Sequence, residues 1–154
     1  MSESEALRTF KQGLSLLRSH YPGKALPLFS KAVGLDKHNP FYLSYLGLAL
    51  AQARGDIDEA EELCCAAVRM KRTQPELYLN LAEVYRRAGK KEDAVETLNT
   101  GLLLTKRDSR LSQALRKLGL RRPPVLTFLD RKHFLNRQLG RLRHRVLKSI
   151  RKQA

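Results

Sequence analysis

The stretch DEAEELCCAAVRM, at residues 58–70, has two counterparts in the chain: GKALPLFSKAVGLD at residues 23–36 and EDAVETLNTGLLL at residues 92–104. Each carries an alanine near its start, and Ala25, Ala60 and Ala94 are 35 and 34 residues apart. Apolar residues recur within each stretch at three- and four-residue intervals, which is the spacing of one helix face. A fixed period of this length is typical of stacked repeat architectures. The sequence therefore predicts three copies of one helical unit.

A second helical pattern precedes each of these stretches. Its common feature is a small residue among leucines, at Gly13, Gly47 and Ala82. Small side chains allow two helices to approach each other closely. Turn signals at Gly55-Asp56 and Gly89-Lys90 separate the second and third patterns from the stretches that follow them. Each unit is therefore predicted to be a helix, a short turn and a second helix.

These units resemble the tetratricopeptide repeat family over residues 6 to about 106. The resemblance rests on small and apolar positions in one register: Gly13, Gly47 and Ala82, then Leu16, Leu50 and Tyr85, then Ala25, Ala60 and Ala94, then Ala32, Ala67 and Gly101. It implies an all-α fold, a right-handed superhelical array of three helix-turn-helix units at about 6–38, 40–72 and 75–107. A domain of residues 1–119 would contain them, together with a capping helix at 109–118.

Local signals predict where several helices begin and end. Proline is tolerated in the first turn of a helix, so Pro40 and Pro75 are expected to open the first helices of the second and third units. The segments 56–59 (DIDE) and 73–76 (TQPE) have the form of capping boxes, which begin with the N-cap residue. Asp108 or Ser109 is expected to cap the helix at 109–118, which would end at Gly119 and close the array with a polar outer side.

Residues 120–154 are predicted to form a proline-containing linker and a basic amphipathic helix. The pair Pro123-Pro124 cannot continue a helix. From Asp130 onwards the chain again shows one apolar stripe at helical spacing. That stripe consists of Leu135, Leu139, Leu142, Val146 and Ile150.

Charge distinguishes this last segment from the rest of the chain. The whole chain has a formal net charge of +15, and residues 121–154 contain eleven basic residues and one acidic residue. A basic amphipathic helix is typical of proteins that bind a nucleic acid, an anionic membrane surface or an acidic partner. The residues expected to contact such an anion are Arg137, Arg141, Arg145 and Lys148. The alternative is that the helix docks on the last repeat and its arginines are only solvated.

The resemblance also implies where a ligand binds, because in this family the first helix of each pair lines a concave groove that receives a peptide. In this register the candidate groove residues are Phe10, Leu14, Phe41, Tyr45, Leu48, Leu79, Asn80, Glu83, Arg86 and Arg87. The set is mostly apolar, which favours an apolar peptide segment oriented by the charged residues. Family members that hold the carboxylate ends of chaperones use lysines and asparagines there, whereas this chain has Phe10, Leu14, Tyr45 and Glu76 and agrees only at Asn80.

Three alternatives stay open at this point. Phe10, Leu14 and Leu48 would also fit simple packing between repeats. The segment 123–129 has an extended start and apolar anchors, so it could occupy the groove of its own chain at a high effective concentration. The small repeat chaperones of bacterial secretion systems are similar in length and repeat number, although the basicity of this chain weakens that match.

No arrangement typical of catalysis or of metal binding is found in the sequence. His20, His38, His133 and His144 have no partner one helical turn away. There is no glycine-rich phosphate loop. The chain is therefore predicted to be a non-enzymatic scaffold or adaptor without metal or cofactor, whose partner is a protein or peptide.

Three features indicate the compartment. The longest apolar run, at 41–53, is shorter than the roughly 20 residues that a bilayer-spanning helix needs. The first residues are acidic and polar, unlike a secretory signal. Cys64 and Cys65 are adjacent and cannot build a disulfide framework, and Cys64 lies at a seam position where a buried thiol is expected. A cytoplasmic location is therefore predicted.

Overall fold

Seven α-helices make up residues 4–119, which are the residues that the computed structural model describes. In chain order they are α1 (Glu5–Arg18), α2 (Pro22–Leu35), α3 (Pro40–Ala53), α4 (Ile57–Met70), α5 (Pro75–Arg87), α6 (Lys91–Leu104) and α7 (Ser109–Lys117). These residues contain no strand, so the prediction of an all-α fold is confirmed. Within the same range, no helix has the length and apolar character that crossing a membrane requires. The predicted linker and basic helix at 120–154 lie outside the described residues.

The helices are paired in sequence and stacked in order. Within the three pairs, α1 packs on α2, α3 packs on α4 and α5 packs on α6. Each second helix also contacts the first helix that follows it, while α3 contacts α5 and α5 contacts α7. This stacking of nearest neighbours is that of a superhelical repeat array. The predicted architecture of three helix pairs and a shorter last helix is therefore present.

The small residues that the repeat places in its first helices mark close approaches between helices. A Cβ atom added at Gly47 would lie 2.7 Å from the carbonyl oxygen of Ala60 and 2.8 Å from the sulfur of Cys64. At Gly13 the added atom would lie 2.8 Å from the ring of Phe29. Glycine at these positions lets α3 pack directly against α4, and α1 against α2, without displacing either backbone.

The buried apolar side chains form two clusters, one that spans α1 to α5 and one that spans α5 to α7. Ala25, Ala60 and Ala94, the residues that reveal the repeat, have no exposed surface. The largest fully buried side chains are Phe29, Leu77, Leu98, Leu111, Val84, Cys64 and Ser44. Burial raises the pKa of the Cys64 thiol to about 12. The prediction of a buried thiol at this seam is confirmed.

Helix termini follow the sequence signals only in part. Pro40 and Pro75 open α3 and α5 as predicted, and the side chain of Asp108 caps α7 by accepting a 2.8 Å hydrogen bond from the amide of Arg110. The two predicted capping boxes are wrong. The N-cap of α5 is Gln74 rather than Thr73, because a residue that precedes proline is held in an extended conformation. Asp56 is the N-cap of α4, but its side chain forms no capping hydrogen bond.

Candidate functional site

The first helices α1, α3, α5 and α7, together called the first-helix face, contribute one polar side chain each to a cluster around Tyr45. The hydroxyl of Tyr45 on α3 donates a hydrogen bond to the carboxylate of Glu76 on α5. Arg18 on α1 and Arg110 on α7 lie close enough for their positive charges to act on the same hydroxyl. These four residues, one from each first helix, are called the central cluster.

Burial and the neighbouring Glu76 keep the Tyr45 hydroxyl protonated. Burial raises the pKa of the Tyr45 hydroxyl, and the hydrogen bond to Glu76 and the negative charge of its carboxylate raise the same pKa further. Arg18 and Arg110 act in the opposite direction, but their effect on this pKa is smaller. The Tyr45 hydroxyl therefore stays protonated at neutral pH and donates its hydrogen bond to Glu76.

Arg110 is held at the edge of this cluster by the cap of α7. Its Nε and Nη2 atoms lie 3.2 Å from the two carboxylate oxygens of Asp108. The hydrogen bonds from the Arg110 side chain and amide lower the pKa of Asp108, and the same contact raises the pKa of Arg110. A paired guanidinium at this place has a fixed orientation.

A second polar contact between the first helices is buried beneath the surface. The amide nitrogen of Asn80 on α5 donates a 3.0 Å hydrogen bond to the hydroxyl of Ser44 on α3. Ser44 is fully buried, and its carbonyl oxygen accepts a 3.4 Å contact from the thiol of Cys64. Asn80, one of the predicted groove residues, therefore fixes α5 against α3 from within the structure.

The predicted charged residues of α5 lie together at its end. Arg86 donates two hydrogen bonds of 2.6 Å and 2.7 Å to the two carboxylate oxygens of Glu83, and Arg87 donates one of 3.1 Å. Burial opposes ionisation of Glu83, but these arginines outweigh it, so that the pKa of Glu83 is lowered. Glu83 carries a full negative charge that its two neighbours neutralise.

The predicted apolar residues divide into two groups. Phe10 and Leu48 are only 8% and 7% exposed. The ring of Phe10 packs at 4.7 Å from the ring of Tyr42 and at 5.3 Å from that of Tyr45, measured between ring centroids. Leu14, Phe41, Tyr45 and Leu79 are half-buried and keep part of their surface accessible. The first group is core that supports the face, and the second group forms its accessible part.

Glu76 was predicted from the repeat register to lie in the groove, whereas Arg110, which also belongs to the central cluster, was not predicted as a site residue. The signal was available in the repeat itself. Arg110 follows Glu76 by 34 residues, one period of the array, so the two occupy equivalent positions in α5 and α7. Treating α7 only as a cap with a polar outer side hid that equivalence.

Other predicted site residues cannot be placed on this face. Arg137, Arg141, Arg145 and Lys148 lie outside the described residues, as does the segment 123–129. Within residues 4–119, no three or more His, Cys, Asp or Glu side chains are grouped in a way that could hold a metal ion.

Comparison with known proteins agrees with this architecture. Residues 51–118 match the tetratricopeptide repeat family. A TPR repeat-containing thioredoxin of Arabidopsis thaliana is 36% identical over 94 residues, which are 61% of this chain. The matched region spans only 13% of that protein's length.

Solved structures with the same fold cover most of the described residues. The Sgt2 TPR domain from Aspergillus fumigatus is 17% identical with a TM-score of 0.65, over 88% of this chain and 95% of that one. The first TPR domain of Spaghetti (RPAP3), bound to an HSP90 peptide, is 20% identical with a TM-score of 0.63, over 77% and 96%. The second TPR domain of human RPAP3, in complex with an HSP70 peptide, is 17% identical with a TM-score of 0.61, over 75% and 96%. The described residues therefore have the fold of a tetratricopeptide repeat domain, and residues 51–118 also resemble that family in sequence.

Proposed function

We propose that the protein is a non-enzymatic scaffold or adaptor whose first-helix face binds a peptide segment of a partner protein. The observation that carries this proposal is the contact between Tyr45 on α3 and Glu76 on α5, where accessible apolar surface adjoins charged groups. Two of the solved structures with this fold hold peptides of other proteins, which supports the same kind of ligand here.

The accessible apolar residues are the proposed contacts. Leu14, Phe41, Tyr45 and Leu79 come from three successive first helices, so one extended or helical segment would touch all of them. Aromatic anchors of this kind dominate the binding energy of many interfaces. The buried residues beneath these contacts would hold them in position. They are Phe10, Leu48 and Asn80.

The charged residues favour an apolar ligand over a carboxylate end. Glu76 lies at the centre of the face, and its negative charge would repel a carboxylate placed there. Arg86 and Arg87 are already paired with Glu83. These three residues would orient a polar group of the peptide at the end of α5 and contribute to the specificity of binding more than to its strength.

The proposal can be tested with a library of random dodecapeptides selected on the full chain. We expect the selected peptides to be rich in apolar and aromatic residues. Leu79→Ala should weaken their binding about tenfold, the loss expected of a central apolar contact. The matched control is Leu103→Ala, because Leu103 lies on α6 and is 82% exposed. Equal affinity of both variants, or selection of peptides that end in acidic residues, would contradict the proposed ligand.

A further inference from the structure

A second concavity lies on helices other than those that carry the proposed peptide site. It is a cleft of about 340 Å³ between α4 and α6, with α5 as its floor. Its volume is at the lower end of the range for ligand pockets, roughly 300 to 1,000 Å³. The floor and the α4 wall consist of Tyr78, Leu81, Tyr85 and Val68, and the α6 wall consists of Asp93, Glu96, Thr97 and Thr100.

The aromatic floor of this cleft is held in place from outside. The hydroxyl of Tyr78 donates a 2.9 Å hydrogen bond to the carbonyl oxygen of Arg72, and the hydroxyl of Tyr85 donates a 3.1 Å hydrogen bond to Glu61. Neither acceptor lines the cleft. Both rings are therefore fixed before any ligand arrives, which reduces the entropy cost of binding.

The cleft lies on the acidic part of a strongly basic chain. Seven of the fifteen acidic residues belong to α4 and α6, whereas these two helices contain only Arg69 and Lys91 as basic residues. The acidic residues are Asp58, Glu59, Glu61, Glu62, Glu92, Asp93 and Glu96. Within the described residues, neither Asp93 nor Glu96 forms an ion pair. The α6 wall therefore presents two carboxylates whose negative charge a cationic ligand would neutralise.

Lys90 already places a cation beside Tyr85, one of the rings that line the cleft. Its ammonium lies 2.8 Å from a carboxylate oxygen of Glu61 and 5.8 Å from the centroid of the Tyr85 ring. The hydrogen bond to Glu61 raises the pKa of Lys90, and the nearby charge of Asp93 adds to the effect. A tyrosine ring beside a carboxylate is a favourable site for an ammonium or guanidinium group.

We propose that this cleft binds a segment rich in arginine or lysine from a partner protein. The cationic head would lie at Asp93 and Glu96, and the methylene groups behind it would lie on the rings of Tyr78 and Tyr85. Long basic side chains combine these two contacts by covering apolar surface with their stems while the charge stays at the rim. The fixed rings, the shape of the cleft and the complementary charge all favour this occupant.

The test uses the full chain and a fluorescein-labelled nona-arginine peptide, with binding followed by fluorescence anisotropy at about 0.15 M salt. The double variant Asp93→Asn/Glu96→Gln should weaken binding about tenfold, a typical loss when the partner of a close charge pair is removed. The matched control, Glu59→Gln/Glu62→Gln, removes the same charge from exposed positions of α4 that do not line the cleft. We expect the control to bind within about twofold of the unchanged chain, because Glu59 and Glu62 do not line the cleft and charges more than about 8 Å from the ligand are largely screened at this salt concentration.

Two outcomes would overturn this assignment. Equal weakening in the two double variants would mean that binding follows the charge of the acidic helices alone and not the cleft. The second outcome is measured by NMR in the absence of peptide. If Asp93→Asn/Glu96→Gln shifts the amide signals of residues 121–154, the chain's own basic segment occupies the cleft instead of a partner. In the supporting outcome, nona-arginine shifts the amides of Thr97 and Thr100 in the unchanged chain, and those of residues 121–154 do not respond to the double variant.

Discussion

The Tyr45 hydroxyl donates a hydrogen bond to the Glu76 carboxylate across 31 residues of sequence and across the boundary between two repeats. The same two residues lie at the centre of the face on which the proposed ligand binds. A contact between α3 and α5 therefore serves two purposes, since it fixes two neighbouring helices and shapes the surface that they share.

Removing this hydroxyl should destabilise the array. In Tyr45→Phe the partly buried Glu76 loses its donor, and a hydrogen bond to a charged group contributes about 1.5 to 3 kcal/mol. We expect a lower urea midpoint with an unchanged slope. The control is Tyr21→Phe, because Tyr21 is 54% exposed. Equal midpoints for the two variants would show that the bond contributes nothing to stability.

Adding one methyl group should distinguish a glycine that close helix packing requires from a glycine that only weakens its own helix. In Gly47→Ala the new Cβ would lie 2.7 Å from the backbone oxygen of Ala60, so α3 and α4 must move apart. Overpacking of this kind costs about 1 to 3 kcal/mol. In Gly34→Ala the new atom meets nothing within 4 Å, and alanine stabilises a helix by about 0.5 to 1 kcal/mol relative to glycine. Thermal unfolding should move in opposite directions for the two variants, and a shift of the same sign in both would contradict the close approach at Gly47.

The contact between Glu61 and Lys90 should make stability depend on pH. The hydrogen bond from Lys90 lowers the pKa of Glu61, although burial opposes this effect. The resulting stability is complete above the unfolded pKa of about 4.3 and is lost as the pH falls through the lower folded pKa. For Lys90 the pKa is raised, so its contribution is present below about pH 10.4 and is lost only as the pH rises through the folded value.

Glu61→Gln provides the measurement for this pair. We expect a lower urea midpoint than that of the unchanged chain near neutral pH and a difference that shrinks towards zero in strong acid. Glu62→Gln removes the same charge from an exposed position of the same helix and serves as the control. A difference between Glu61→Gln and the unchanged chain that stays constant from neutral to strongly acidic pH would exclude an electrostatic origin.

The two adjacent cysteines should differ in reactivity. Cys64 is fully buried and its pKa is raised to about 12, so it presents neither surface nor thiolate to a reagent. Cys65 is only half-buried, with its sulfur 3.9 Å from the hydroxyl of Tyr85. Titration of the native protein with a disulfide reagent should therefore label Cys65 before Cys64. In Cys65→Ser we expect no labelling until urea unfolds the chain, and rapid labelling of that variant in buffer would contradict the burial of Cys64.

The fold was predictable from sequence because its determinants are local and repeated. Small residues such as Gly47 recur with the period of the repeat, and Pro22, Pro40 and Pro75 open α2, α3 and α5. The predicted N-cap at Thr73 was wrong for a reason of the same local kind. The capping-box pattern places the cap three residues before Glu76, whereas the proline between them moves the helix start one residue later.

The site was less predictable because it depends on which neighbour each side chain meets. The repeat register assigns both Phe10 and Tyr45 to the groove. In the structure, Phe10 is buried in the core, whereas Tyr45 keeps part of its surface accessible. Phe29 packs against both rings, whereas Tyr42 packs against the ring of Phe10. The pairing of Tyr45 with Glu76 likewise requires two helices to be stacked before the side chains can meet.

The helix α7 is the shortest element of the described array, and it packs mainly on α6 and α5. In a structure held together by neighbours alone, an end unit opens at a lower free energy than the interior does. When α7 detaches, Arg110 leaves with it. Amide hydrogen exchange along α7 therefore reports how often the binding face is incomplete, and a ligand that contacts Arg110 would slow that exchange by holding the last helix closed.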